Sequence, residues 1–170
     1  MEQLFNTIHK ETKTLMDNNI RLHAIGNMQS LPARCLKNLN AAIAKTSGNT
    51  RMTLTLALSY SSRWEITDAI KRIALDVEQG KTSAQKIDDA LVEQYLATAG
   101  MPDPELLIRT SGEYRISNFL LWQIAYSEFY FTSKLWPDFR REDLYEAIVN
   151  YQHRERRFGG VNESTEANHA

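Results

Sequence analysis

The sequence predicts an α/β protein, a mainly parallel sheet with helices on both faces. Three observations predict it. Short apolar runs of strand length alternate with longer segments of helical periodicity, which is the pattern of strands joined by crossover helices. Gly, Asn or Pro punctuates the junctions. The 170 residues, 42% hydrophobic and 24% charged, suit one soluble domain that buries about 70% of its unfolded surface.

The elements follow in order. Leu4, Ile8, Leu15 and Met16 sit at helical spacing, so residues 1–18 read as a helix. Asn18-Asn19 breaks it, and Ile20 to Ile25 reads as a strand ending at Gly26. Ser30 ahead of Pro32 opens a helix through about Lys45, closed by Gly48-Asn49. Met52 to Leu58 is the second strand. Ser62-Arg63-Trp64-Glu65 fits a capping box. Its helix carries Ile66, Ala69, Ile70, Ile73 and Val77 on one face and stops at Gly80. Thr82 to Gln85 opens another helix, with Ile87, Leu91 and Leu96 inward. Glu105 to Ile108 is a short third strand, followed by a polar turn over 110–115, an apolar helix from Asn118, and a strand from Ser127 to Phe131. A last amphipathic helix spans 141–156, and the polar residues 161–170 read as a disordered tail.

Composition excludes several function classes. With 20 Lys+Arg against 21 Asp+Glu, the chain lacks the basic field of non-specific nucleic-acid binders. Phe119 to Tyr126, the longest apolar run, is interrupted by Gln123 and far short of the ~20 residues that span a bilayer. Met1 to Phe5 shows no signal-peptide pattern. The single cysteine, Cys35, forms no internal disulfide and reads as a buried apolar residue in a reducing compartment. His9, His23, His153 and His169 have no zinc-hydrolase spacing.

In parallel sheets, ligands sit beyond the carboxyl ends of the strands. The turn at 110–115 lies at such an end. Arg109 stands at the tip of its strand, Gly112 lets the chain turn, and Arg115 returns with Ser117 at the N-cap of the following helix. Two guanidiniums, a hydroxyl and a helix N-terminus make a receptor for a phosphate-bearing ligand, and the arginine fork suits it better than lysine. The alternative is that Arg109 and Arg115 pair with local carboxylates such as Glu105 or Glu113. Glu128 is the second candidate. As a strand, this segment puts Tyr126, Glu128 and Tyr130 on one face and Ser127, Phe129 and Phe131 on the other. A carboxylate among aromatics needs a cation or donors, and a magnesium ion shared with diphosphate oxygens would serve. The alternative is a rim glutamate reaching water. Half of the aromatic residues lie between Phe119 and Phe139, which reads as a core or an interface. The basic run from His153 to Arg157 reads as a solvated helix end.

These motifs have a family resemblance. Leu107-Ile108-Arg109-Thr110-Ser111-Gly112-Glu113, Arg115 to Gln123, Ala125 to Phe131, Leu135 to Phe139 and Arg154 to Gly160 resemble the signature of the cis-prenyltransferases, the undecaprenyl diphosphate synthase family. Gly48-Asn49-Thr50 and Tyr60 to Ile66 also fit, although many relatives carry Gly-Gly where this chain has Ser61-Ser62. The resemblance covers residues 1–160, read as the C-terminal portion of a single catalytic domain.

It implies that Arg109, Arg115 and Ser117, with the backbone around Ile116, grip the diphosphate of isopentenyl diphosphate. Glu128 resembles the family's magnesium ligand, near a dimer interface. Arg157-Phe158-Gly159 resembles an Arg-x-Gly element reaching the diphosphate site across a homodimer. The implied activity condenses isopentenyl diphosphate with an allylic, farnesyl-type diphosphate to make a long-chain polyprenyl carrier lipid. Mg2+ would be the cofactor, and the setting cytoplasmic, at the membrane periphery through the lipid product. The family also carries an Asp-Gly-Asn-Gly-Arg-Trp loop with the catalytic aspartate and a Phe-Ser-x-Glu-Asn-Trp-x-Arg element. Neither occurs here. The expectation is therefore a fold truncated at its N-terminus, with the isopentenyl half of the site and no catalytic residue of its own. The alternative function is a non-catalytic partner subunit of a heteromeric prenyltransferase.

Overall fold

The computed structural model describes residues 11–154, which form two compact units meeting in sequence at Met101 and Pro102. The expected tail at 161–170 lies outside the described residues. All strand pairing described is parallel, as an α/β fold requires.

In the first unit, residues 11–17 are helical (α1), followed by β1 (Ile20–Ile25), α2 (Ala33–Thr46), β2 (Met52–Ala57), α3 (Ser62–Glu78) and α4 (Asp89–Tyr95). β1 and β2 pair from Ile20 opposite Met52 to Ile25 opposite Ala57. α2 turns Cys35, Leu39, Ala42 and Thr46 inward, a helical stripe that meets Leu15, Leu22, Leu31 and Leu58 in one core. Cys35 is buried there, as expected, and each buried leucine contributes about 1.5–3 kcal/mol. Thr46 Oγ1 accepts from Leu22 N–H at 3.0 Å and donates to Ala42 O at 2.9 Å, tying α2 to β1. The buried Asn49 amide donates to Ile20 O at 2.7 Å and Leu15 O at 3.3 Å, which gives the Gly48-Asn49-Thr50 motif a structural role.

The loops after β1 and β2 are locked together. Gly26 has φ +115°, and a Cβ there would stand 2.1 Å from Leu58 O, so only glycine fits. Asn27 N–H donates to Ser59 O, and Ser30 Oγ to Ser59 Oγ at 2.7 Å.

Two helix starts differ from expectation. The N-cap of α3 is Ser61, not Ser62, and its hydroxyl accepts from Trp64 N–H at 3.3 Å. Glu65 lies buried behind that start. It is 2% exposed and accepts from Tyr60 OH and, at 2.8 Å, from Ala97 N–H, fastening the loop after β2 to the chain beyond α4. The helix expected from Thr82 is reduced to a single turn at Ala84–Lys86, and α4 starts later because Asp88 Oδ1 accepts from Leu91 N–H at 2.8 Å.

The second unit contains β3 (Leu106–Arg109), β4 (Glu128–Phe131), a single turn at Trp136–Asp138 and α5 (Arg141–Gln152). β3 and β4 run from Leu106 opposite Glu128 to Arg109 opposite Phe131. The helix expected from Asn118 does not form. Residues 117–126 are turns and bends, because Ser117, Asn118 and Leu120 take φ of +54°, +61° and +49°, outside the right-handed helix. Leu120 O still accepts from Ile124 N–H at 3.0 Å, a lone helical turn that does not propagate. α5 ends at Gln152, four residues before the expected boundary at 156.

Candidate functional site

Arg109 is the last residue of β3. Its side chain is half-buried and has no hydrogen-bond or ion-pair partner among the described residues. The turn beyond it is pinned by backbone bonds: Ser111 N–H donates to Lys134 O at 2.7 Å, Gly112 N–H to Thr132 O at 2.9 Å, and Thr132 N–H to Arg109 O at 2.9 Å. Ser111 (φ +74°) and Gly112 (φ +65°) make the reversal. Tyr114 then lays its ring against Phe131 at 5.2 Å, folding the turn onto the phenyl face of β4.

The other expected ligands divide. Arg115 is exposed and ion-paired with Glu113, so the local-carboxylate reading holds for that arginine in this state. Ile116 is half-buried. Ser117 is exposed and left-handed, and it caps no helix. The structure thus carries Arg109, Arg115, Ile116 and Ser117 on one segment leaving the carboxyl end of a parallel strand, without the helix dipole. Arg157 and Gly159 lie outside the described residues.

Glu128 opens β4. It pairs with Leu106, at the other end of the ladder from Arg109, roughly 10 Å away along the strand. The face assignment holds within β4, where Phe129 and Phe131 stack at 6.1 Å on one side while Glu128 and Tyr130 face α5; Tyr126 and Ser127 precede the strand. Glu128 Oε2 accepts from Arg154 at 2.7 Å, and the same guanidinium donates to Asn150 Oδ1 at 2.7 and 3.0 Å. The Arg154–Glu128 contact is one that sequence reasoning missed, since the run of Arg154 reads as a solvated helix end. No group of three or more His, Cys, Asp and Glu side chains converges among the described residues, so they form no all-protein metal cage. One carboxylate can still share an ion with ligand oxygens.

α5 is anchored to β4 and the segment after it at two further points. Tyr130 OH donates to Glu146 Oε1 at 3.0 Å, and burial, with this bond to a carboxylate, raises the phenol above its usual range. Lys134 Nζ pairs with Asp143, whose other oxygen accepts from Arg140 N–H at 2.8 Å. The Lys134 bond and the Arg140 N–H hold the Asp143 carboxyl below its ordinary value, and the Asp143 bond raises the Lys134 ammonium. Beside the tip of β3 opens a cleft of about 480 Å³, walled by Ile108, Thr110, Trp136, Phe139, Leu144 and the neighbouring Arg140 and Arg141. Those two arginines were not singled out from the sequence. Their signal is the doublet that follows Trp136-Pro137-Asp138-Phe139.

Residues 1–159 match the family model described as undecaprenyl diphosphate synthase. The chain belongs to this family. It is 53% identical over 168 residues to an isoprenyl transferase of Chlorobaculum tepidum, covering 99% of this chain and 63% of that protein. An isoprenyl transferase of Porphyromonas gingivalis is 54% identical, with 92% of this chain and 61% of that protein covered. Among solved structures, lavandulyl diphosphate synthase from Lavandula x intermedia, in complex with dimethylallyl diphosphate, superposes with a TM-score of 0.87 at 37% identity, over 92% of this chain and 70% of that one. A probable undecaprenyl diphosphate synthase from Campylobacter jejuni gives 0.80 at 31% identity, over 94% of this chain and 72% of that one. The chain therefore spans about three-fifths of the length of the curated relatives it matches. No helix among the described residues is long and apolar enough to cross a membrane.

Proposed function

We propose that this chain carries the isopentenyl diphosphate site of a cis-prenyltransferase, an enzyme that joins isopentenyl diphosphate to an allylic diphosphate and repeats the addition to build a polyprenyl carrier lipid. The observation that supports this best is Arg109, a half-buried guanidinium without a partner among the described residues at the carboxyl end of a parallel strand. Such a cation calls for an anion, and a diphosphate matches its two-pronged donor geometry. The name of the lavandulyl relative and its dimethylallyl ligand agree with isoprenoid diphosphate chemistry.

In the reaction the allylic carbon–oxygen bond breaks, diphosphate leaves, the isopentenyl alkene supplies the electrons of the new carbon–carbon bond, and a proton is lost. The isopentenyl partner keeps its own diphosphate throughout. Arg109 therefore acts by anchoring and orientation: holding the diphosphate fixes where the alkene lies. Arg115 and Ser117, with the backbone at Ile116, complete the grip once Arg115 gives up Glu113. Glu128 is the carboxylate suited to hold magnesium together with diphosphate oxygens, and the ion would offset negative charge on those oxygens. Arg157 and Gly159 extend the diphosphate site across a homodimer, and the enzyme works in the cytoplasm against the membrane that takes its product.

The test is calorimetric titration of the chain with isopentenyl diphosphate. Saturable binding that disappears in Arg109→Ala supports the reading. Absence of binding, or binding indifferent to Arg109, overturns it.

A further inference from the structure

We propose that Asp143 and Lys134 form a strut that positions the diphosphate-binding turn, so that Asp143, distant in sequence from that turn, sets its affinity. This deepens the reading above and rests on it. The argument follows a chain of contacts. The turn after Arg109 has little structure of its own and is held by Ser111 N–H on Lys134 O and Gly112 N–H on Thr132 O. The acceptors belong to the segment that follows β4, which carries no regular structure until the turn at Trp136–Asp138. Lys134 also donates its backbone N–H to Thr132 Oγ1 at 3.3 Å. What fixes this segment against α5 is the Lys134 ammonium on Asp143.

Asp143 is itself fixed. One of its oxygens accepts from Arg140 N–H at 2.8 Å, and it is 7% exposed. Its two oxygens divide the work, one closing the first turn of α5 and the other reaching Lys134. The Tyr130–Glu146 bond holds α5 to β4 within the same unit. The turn that presents Arg109 and Arg115 is thus braced through Lys134 to a buried carboxylate, and Asp143 is a positioning residue without contact to ligand.

Charge makes the idea testable. Asp143→Asn removes a negative charge and keeps an oxygen for the Arg140 N–H. Lys134→Gln removes a positive charge. A purely electrostatic effect on an anion site would tighten binding in the first and weaken it in the second. A strut predicts that both weaken isopentenyl diphosphate binding, by about three- to tenfold. Lys134→Arg, which keeps the pair, should restore wild-type affinity.

The experiment titrates isopentenyl diphosphate into the wild-type chain, these three variants and Arg109→Ala, and measures amide hydrogen exchange at Ser111 and Gly112 without ligand. Weaker binding and faster exchange in both Asp143→Asn and Lys134→Gln, with rescue by Lys134→Arg, supports the strut. Opposite shifts in the two variants, or unchanged exchange, overturns it while leaving the function standing if Arg109→Ala abolishes binding. No binding by the wild-type chain overturns the function and the strut together. Loss of folding in Asp143→Asn leaves Lys134→Gln and Lys134→Arg to decide by the same criteria.

Discussion

Arg154 and Glu128 close a 2.7 Å ion pair that joins the chain just beyond α5 to the first residue of β4. Both side chains are 31% exposed, so the pair contributes little to stability, about 0.2–1 kcal/mol. Its larger effect is on what Glu128 can bind, because the guanidinium competes with any metal for the carboxylate. Arg154→Ala should therefore lower the magnesium concentration needed for half-maximal enhancement of diphosphate binding, while Glu128→Gln should raise it or abolish the enhancement. Melting temperatures of both variants should stay near wild type. Magnesium titrations of isopentenyl diphosphate binding check this, and identical midpoints in the wild-type chain and both variants would return Glu128 to a structural role.

The two arginines of the turn should not be equivalent. Arg109 has no competing carboxylate among the described residues, whereas Arg115 must leave Glu113. Arg109→Ala should cost about 1.5–3 kcal/mol of isopentenyl diphosphate affinity, roughly ten- to over a hundredfold. Arg115→Ala should cost less, and Glu113→Gln should tighten binding by releasing Arg115 and removing a like charge from the ligand's surroundings. Calorimetry on the three variants orders them. Weaker binding by Glu113→Gln would contradict the competition.

Acid should test how far Asp143 is coupled to folding. Its carboxyl lies below the ordinary aspartate value because of Lys134 and the Arg140 N–H, so its stabilising contribution is complete above the unfolded value. That contribution is lost as pH falls through the lower folded value. Lys134 works in the opposite sense: its raised value means that the stabilisation holds up to the usual lysine range and is lost as pH climbs through the raised one. The gap in melting temperature between wild type and Asp143→Asn should thus be widest near neutral pH and close below about pH 4. Glu146, Tyr130 and Arg140 also face this pair and remain in both proteins. A gap that is constant from pH 7 to pH 2 would show that the pair does not couple to folding.

Glu65 should be among the costliest side chains to truncate in the first unit. It is 2% exposed and serves Tyr60 OH and Ala97 N–H at once. Glu65→Ala leaves those donors facing a cavity, with an expected loss of about 3 kcal/mol in denaturant unfolding. A loss below about 1 kcal/mol would mean that water replaces the carboxylate at little expense.

Much of this architecture was legible in the residues. β1 occupies the predicted positions Ile20–Ile25, and α2, β2 and α3 fall within a few residues of theirs, because an apolar face and its period suffice to place an element that packs on one side. The failures have a common origin. Phe119 to Ala125 reads as an apolar helix from local composition, yet the positive φ values at Ser117, Asn118 and Leu120 turn the chain aside, and Gln123 and Ile124 are buried by tertiary packing. Ser61 and Ser62 are chemically equal caps, so only the geometry of the strand exit selects between them. At the candidate site, Arg109 stands at a strand tip, as the sequence pattern predicts. The helix cap expected of Ser117 was inherited from the missing helix, and the Arg154–Glu128 contact spans too many residues for any local pattern to expose it.

The parallel ladder of β3 and β4 also has a kinetic consequence. Parallel strands cannot be joined by a tight hairpin, so the crossover from Thr110 to Ser127, which carries Arg115, Ile116 and Ser117, must close as a loop before Arg109 can meet Phe131. The candidate ligand segment is thus the chain whose entropy limits formation of the sheet that presents it. A diphosphate that binds only the closed form draws the ladder together by mass action, so refolding yield and thermal resistance of this half of the chain should rise with ligand concentration even where no catalysis takes place.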